Sequence, residues 1–102
     1  MRTDLEGLLT LDRLVHEPAR LVVLTVLAEA ESVEFQFLAR VSGLSKGNLS
    51  SHISKLEQAG YLEVNKSFRG KIPSTSLRIT AFGRSSLKKY RHNLKRALRQ
   101  RS

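Results

Sequence analysis

The segment that decides the fold runs from Val41 to Lys71 and reads VSGLSKGNLSSHISKLEQAGYLEVNKSFRGK. It opens with a tight turn, Ser42–Ser45, in which Ser45 can cap a following helix because its hydroxyl accepts a backbone N–H two or three residues on. Gly60 should end that helix as a C-terminal capping glycine. The apolar residues in between share one helical face, and they are Leu49, Ile53 and Leu56. The segment therefore predicts a turn followed by a helix with one buried face.

Beyond Gly60 the apolar residues alternate instead of recurring at helical spacing. One alternating run covers Leu62–Phe68, and a second contains Leu77 and Ile79. The residues between them, Arg69–Ser74, include a glycine and a proline and are typical of a loop. The pattern predicts a two-stranded hairpin with a basic tip.

Upstream of this segment the sequence predicts three helical stretches. The first, over Leu5–Val15, should break near His16. A core helix then runs from Pro18, a residue that suits a first helical turn, to about Ala30, and it is apolar on more than one side. A short helix covers Glu34–Ser42 and should face inward with Phe35, Leu38 and Val41.

Downstream, Thr80 offers an N-cap for a last helix with an apolar seam. The seam consists of Leu87, Tyr90, Leu94 and Leu98, spaced three and four residues apart. It covers less than two heptads, too little for an isolated coiled coil. We expect it to pack across a two-fold axis with the N-terminal residues Leu5, Leu8 and Leu9. In the alternative, both terminal helices fold back on their own domain.

Charge is distributed unevenly along the 102 residues. The chain has 18 Lys and Arg against 9 Asp and Glu, a formal net charge of +9. Every acidic residue lies at or before Glu63, so residues 64–102 carry 12 basic side chains and no acidic one. A face that serves only solubility usually mixes both signs, so this half favours a polyanionic partner.

Composition argues against several classes of function. With 0 cysteines the chain has no disulfide, thiolate metal site or cysteine nucleophile. It has no glycine-rich phosphate loop, no plausible pair of catalytic carboxylates and no nucleophile–base set, so we expect neither an enzyme nor a cofactor or metal. No window approaches the roughly 20 apolar residues that span a bilayer. We expect a cytoplasmic, nucleoid-associated protein without membrane contact.

In order, the central predicted elements are helix, helix, tight turn, helix and basic hairpin. That order defines a winged helix-turn-helix, in which the helix after the turn enters the major groove of DNA. The predicted fold is mainly α with a small β-hairpin wing (α+β), together with N- and C-terminal dimerisation helices. It forms a single domain, with an N-terminal helical segment over 1–16, a winged-helix core over 17–79 and a C-terminal helix over 80–102.

Three runs of the sequence resemble the small MarR/ArsR-like winged-helix transcriptional regulators, over Leu11 to Arg84. They read LDRLVHEPARLVVLTVLAEA, FQFLARVSGLSKGNLSSHISKLEQAGYLEVNKSFRGK and LRITAFGR. Most characteristic are the HEPAR-type start of the core helix, the SFRGK wing, and T-x-x-G at Thr80 and Gly83. The resemblance implies a homodimer that binds promoter DNA, with the terminal helices forming the dimer. Thiolate metal sensing, known from many ArsR-type proteins, is excluded without cysteine, and small-molecule effector sensing stays open.

Two elements supply the candidate DNA contacts. On the helix after the turn, Asn48 is the best candidate for a bidentate contact to adenine, and the exposed serines can bond bases or phosphate. On the wing, Arg69 could insert into the minor groove, although phosphate contacts alone are at least as plausible for the basic wing. The full set is Lys46, Asn48, Ser50, Ser51, Ser54 and Lys55 on the helix, and Lys66, Arg69, Lys71 and Arg78 on the hairpin.

The leading hypothesis is a sequence-specific regulator that binds double-stranded DNA as a homodimer and represses by occluding a promoter. An alternative is an architectural, chromatin-like protein that coats DNA without reading it, because high positive charge suits both. A third hypothesis, a winged helix that serves only protein interaction, is disfavoured by the basic half. Alanine substitution of Asn48 and Ser51 distinguishes the regulator from the architectural protein, because only a sequence-specific regulator loses its preference for one DNA site.

Overall fold

A computed structural model of the chain describes residues 2–99, with side chains from Glu6 onward. Within this part, five helices and three strands form the predicted α+β winged helix. The elements are α1 (Arg2–Leu9), α2 (Pro18–Ala28), β1 (Val33–Glu34), α3 (Phe35–Ser42), α4 (Lys46–Gln58), β2 (Leu62–Arg69), β3 (Ile72–Ile79) and α5 (Ala81–Arg99). The fold class is confirmed, whereas a dimerising role for the terminal helices stays a prediction.

The core helix α2 begins as its sequence predicts. Glu17 is the N-cap, and its carboxylate accepts a hydrogen bond from the backbone N–H of Arg20 at 2.9 Å. Pro18 occupies the first turn, where a missing N–H costs nothing. The helix fully buries Val23, Leu24 and Leu27, and it contacts α3, α4 and α5. It therefore forms the centre of the domain.

The turn between α3 and α4 is held by local hydrogen bonds. Gly43 ends α3 with φ 71°, in the left-handed region that glycine adopts without strain. Ser45 then caps α4, because its Oγ accepts from the N–H of Asn48 at 3.1 Å. On the inner face of α4, Leu49 and Leu56 are fully buried and Ile53 nearly so. The predicted turn and helix are confirmed.

The hairpin is longer and tighter than the sequence suggests. β2 and β3 pair antiparallel from Leu62↔Ile79 to Arg69↔Ile72, so the predicted loop over Arg69–Ser74 shrinks to the two-residue turn Gly70–Lys71. Gly70 has φ 63°, which suits a two-residue hairpin turn with glycine first. The short strand β1 was not predicted and adds a third strand, in the order β1-β3-β2.

Two expectations about apolar residues require correction. The first helix ends at Leu9 rather than at Val15, because Asp12 Oδ1 accepts the backbone N–H of Leu14 at 2.9 Å and of Val15 at 3.2 Å. An aspartate bonded in this way competes with helix formation. Val41, expected to face inward, is 50% exposed.

The terminal helices pack against each other within one chain. α1 lies along α5, and a Cβ added at Gly7 would lie 3.6 Å from Cβ of Ala97. Leu87 and Tyr90 are buried, and Leu8 and Leu94 are partly buried against the core. This arrangement corresponds to the alternative in which the terminal helices fold back on their own domain.

Two residues of the predicted dimer seam keep most of their surface free. Leu9 is 72% and Leu98 is 57% exposed, so these side chains are available to a second copy. The side chain of Leu5 lies outside the described residues. Dimerisation itself remains a prediction.

Candidate nucleic-acid interface

The outer face of α4 is polar, exposed and built from small side chains. The exposed residues of α4 are Lys46, Gly47, Asn48, Ser50, Ser51, Ser54, Lys55, Glu57 and Gln58. A face with glycine and three serines near its middle can approach another surface closely. Serine and asparagine can also hydrogen-bond base edges, and lysine can neutralise phosphate. All six residues predicted on this helix are therefore placed where a partner can reach them.

One shoulder of α4 is anchored to the start of α2 through His52. This side chain is half-buried, with Nδ1 lying 3.1 Å from the Arg20 guanidinium and 3.9 Å from Glu17 Oε1. Arg20 is itself held, because its Nε donates to the carbonyl of Leu14 at 2.7 Å. The backbone N–H of Arg20 lowers the pKa of Glu17, burial opposes this, and the charges of His52 and Arg20 lower it further. These contacts tie the middle of α4 to the start of α2.

The other shoulder of α4 faces the hairpin across a cavity of about 400 Å³. Its lining includes Ser50 and Ser54 from α4 and Lys66 and Thr75 from the hairpin. The fold thus brings together predicted contact residues that are far apart in sequence. Glu57, which the sequence analysis did not single out, also lines this cavity and is the one acidic residue of α4.

Two of the four basic residues predicted on the wing are already paired with carboxylates. Arg69 forms an ion pair with Glu34, and Arg78 Nε lies 3.6 Å from Glu63 Oε1. Both pairs are largely exposed, and such pairs contribute little to stability. Lys66 and Lys71 form no ion pair with any of the described residues. The lysines are therefore the wing cations available without breaking a contact.

The register of the hairpin sorts its side chains onto two faces. Val64↔Leu77 and Lys66↔Thr75 share the face that borders the cavity beside α4. Phe68↔Pro73 continues that face toward the tip, because side chains two residues apart on a strand point the same way. Arg69↔Ile72 lies on the opposite face. The hairpin therefore directs Lys66 and Phe68, rather than Arg69, toward the side of α4.

Helix α5 adds a further basic surface. Arg84 donates to the carbonyl of Ala28 at 3.0 Å, and Arg91 lies 3.3 Å from Thr25 Oγ1, so both arginines fasten α5 to α2. Four exposed cations on this helix form no hydrogen bond or ion pair within residues 2–99, and they are Lys88, Lys89, Lys95 and Arg96. α5 therefore extends the positive field beyond the wing.

Residues 2–99 contain no helix that is long and apolar enough to cross a membrane. In the same part of the chain, no three His, Cys, Asp or Glu side chains are grouped so that they could hold a metal ion. The features that stand out are instead an exposed polar helix after a tight turn and a protruding basic hairpin. Together they define a winged-helix DNA-binding protein.

The chain belongs to the winged helix DNA-binding domain family, whose model matches residues 19–98. It is 34% identical over 79 residues to an uncharacterized protein of Methanocaldococcus jannaschii. The aligned region covers 76% of this chain and 85% of that protein. The structure also matches the transcriptional regulator homologue protein of Pyrococcus horikoshii OT3, with a TM-score of 0.86, 28% identity and 96% of each chain covered.

One further structural neighbour is a MarR-family transcriptional regulator from Silicibacter pomeroyi, with a TM-score of 0.65 at 15% identity, over 86% of this chain and 58% of that one. YusO of Bacillus subtilis has a TM-score of 0.73 at 18% identity, over 95% of this chain and 66% of that one, which is a likeness of fold. The predicted resemblance to small winged-helix transcriptional regulators is confirmed by the family model and by the Pyrococcus horikoshii structure. The individual DNA-contacting residues remain predictions.

Proposed function

We propose that this protein is a sequence-specific transcriptional regulator that binds double-stranded DNA as a homodimer and represses by occluding a promoter. The observation that carries the proposal is the distribution of buried and exposed side chains around α4. Its inner face is buried at Leu49, Ile53 and Leu56, while its outer face is exposed and has only glycine and serine side chains near its middle. A helix of this kind fits the major groove, where base edges present a distinct pattern for each base pair.

Within the major groove, Asn48 is the base-reading residue. It lies in the first turn of α4, and the N-terminal residues of a recognition helix are those that reach base edges. An asparagine side chain can bond adenine N6 and N7 at the same time. Ser50, Ser51 and Ser54 supplement this contact with bonds to bases or phosphate oxygens, and Lys46 and Lys55 hold the backbone.

The wing and α5 supply the electrostatic part of binding. Lys66 and Lys71 contact phosphates from the hairpin, and Arg69 and Arg78 join them if their carboxylate partners are exchanged for phosphate. Contacts of this kind position the protein without reading sequence. With six to ten phosphates neutralised, affinity falls by about 10³–10⁵ between 50 and 200 mM salt.

A homodimer presents two copies of α4 to a pseudo-palindromic site, with half-sites about one helical turn, 10–10.5 base pairs, apart. The exposed Leu9 and Leu98 support this assembly, because α1 and α5 already pack together within each chain and leave these apolar side chains open. Repression by occlusion requires no step beyond binding, which makes it the simplest mode of action for this fold.

The second candidate is an architectural protein that coats DNA without sequence preference. The observation that favours it is the basic surface of α5, which lies outside the turn-and-helix unit. It carries four exposed cations that form no hydrogen bond or ion pair within the described part of the chain. Such a surface adds affinity for any duplex. The two candidates differ in one respect, since only the regulator discriminates between sequences.

The proposal is tested by selecting fragmented genomic DNA and random duplexes with the purified protein at about 150 mM salt and sequencing the bound pool. A regulator enriches a two-fold symmetric motif. Binding without enrichment supports the architectural candidate and overturns the regulator. Absence of binding overturns both.

A further inference from the structure

The tip of the wing exposes a large aromatic side chain. Phe68 is 70% exposed and occupies the last position but one of β2, with Lys66 two residues before it and Lys71 three residues after it. A phenylalanine in this position contributes nothing to the core. Both of these lysines are cationic, and the next residue, Arg69, is paired with Glu34.

The placement of Phe68 follows from the register of the hairpin. Lys66 lines the cavity shared with Ser50 and Ser54 of α4, and Phe68 lies on the same face about 7 Å further out. Its cross-strand neighbour is Pro73, whose ring and fixed φ restrict the motion of the strand beside it. When α4 lies in the major groove, Phe68 is thus carried toward the neighbouring minor groove.

Arg69 is less well placed for that groove. It lies on the opposite face of the hairpin, paired across the strands with Ile72, and its guanidinium is bound to Glu34. Phe68 has no comparable partner among the described residues, so its side chain can enter a groove without breaking a contact. Lys66 and Lys71, which lie close to Phe68 along the hairpin, carry charge of the sign that attracts phosphate, so the charge pattern favours DNA over an apolar partner.

We propose that Phe68 is the wing residue that enters the minor groove, where its ring packs on deoxyribose or wedges partly between base steps. Apolar wedges of this type unstack a step and bend the duplex toward the major groove. The inference rests on the proposed DNA-binding function and deepens it, because it assigns the wing a role in shape recognition that phosphate contacts do not provide.

A single tryptophan tests this placement, because the chain contains 0 Trp. Ile72→Trp is a matched control, since Ile72 is also 70% exposed but lies on the other face of the hairpin. On binding a duplex, Phe68→Trp fluorescence should be quenched and shifted, and Ile72→Trp fluorescence should not change. Unchanged Phe68→Trp emission, with binding confirmed by anisotropy of labelled DNA, overturns the proposal.

Affinity and its salt dependence separate the wedge from phosphate contacts. Phe68→Ala should weaken binding by about ten- to a hundredfold while the slope of log K against log salt stays the same. Lys71→Ala should reduce that slope by about 1, and Ile72→Ala should match the wild type.

Three outcomes of this experiment are distinguishable. If the wild-type protein binds no DNA, the proposed function itself fails. If the wild type binds and Phe68→Ala binds equally well, the wedge alone is overturned. If Phe68→Ala dissociates a dimer in sedimentation without DNA, Phe68 contacts a second copy and the wedge is likewise overturned.

Discussion

Gly83, in the first turn of α5, lies directly against the main chain of Tyr61. A Cβ at position 83 would lie 2.8 Å from the carbonyl carbon of Tyr61 and closer still to its oxygen. Thr80 completes this junction, because its Oγ1 accepts from the N–H of Gly83 at 2.9 Å and donates to the carbonyl of Gly60 at 2.6 Å. The T-x-x-G motif thus fixes α5 to the end of α4 and the start of the wing.

Gly83→Ala should destabilise the protein by roughly 1–3 kcal/mol, because the added methyl group forces the backbone of Tyr61 away from α5. The free energy of unfolding in urea measures this. Gly47→Ala is the matched control, since nothing lies within 4 Å of a Cβ at that helical position. That variant should be neutral or stabilised by up to about 1 kcal/mol. Equal stability of the two variants would contradict the close contact.

Because of Glu17, the free energy of unfolding should depend on pH in the acidic range. Its pKa lies below the ordinary value of 4.5, chiefly because the carboxylate accepts the N–H of Arg20. A lowered pKa stabilises the fold above about pH 4.5, and that contribution is lost as the pH falls through the folded-state value. Glu17→Gln should therefore be less stable than the wild type near neutral pH, and the two should converge in acid.

The measurement is urea unfolding from about pH 7 to pH 3, with Glu29→Gln as the control. Glu29 is an exposed acid whose carboxylate forms no hydrogen bond with the described residues. A difference between Glu17→Gln and the wild type that stays constant over the whole range would rule out this role for Glu17.

The turn, α4 and the hairpin could be predicted because their signals are local. The hydroxyl of Ser45 caps a helix three residues away, and Gly43 and Gly60 adopt φ values of 71° and 83° that few other residues tolerate. Alternating apolar residues likewise identify β2 and β3 without knowledge of the rest of the fold. The candidate residues on α4 follow directly from that helical face.

Features that depend on tertiary contacts could not be predicted. β1 has two residues, too few to show alternation, and it exists because Val33 pairs with Leu77. The pairing of Arg69 with Glu34 joins residues 35 positions apart. The alternation of apolar residues predicts only which face of the hairpin Phe68 shares, and it does not predict that the side chain is 70% exposed.

Releasing Arg69 should strengthen binding to any duplex. Glu34→Gln removes both a repulsive carboxylate and the partner that holds the guanidinium, so affinity for random DNA should rise and the salt slope should steepen by about 1. Glu31→Gln is the control, because it removes the same charge from an exposed residue that forms no ion pair within the described part of the chain. If both variants change affinity and slope equally, the pairing with Glu34 does not restrain Arg69.

Leu98→Ser should shift the protein from dimer to monomer, because it removes an apolar side chain that is 57% exposed on the proposed dimer surface. Sedimentation at micromolar concentration measures the assembly. Ile72→Ser, which removes a side chain that is 70% exposed on the wing, should leave the dimer intact. A wild-type protein that is monomeric at this concentration would contradict the homodimer.

The central claim is that α4 reads sequence, and the affinity of Asn48→Ala tests it most directly. Binding is compared on the selected duplex and on a scrambled duplex, at the same salt concentration. Lys46→Ala is the control from the same helical turn, and it should weaken both duplexes alike because a phosphate contact carries no sequence information.

We expect Asn48→Ala to lose about 1–3 kcal/mol on the selected duplex and to bind the scrambled duplex as the wild type does. An equal effect on both duplexes, or none on either, would contradict base reading by α4.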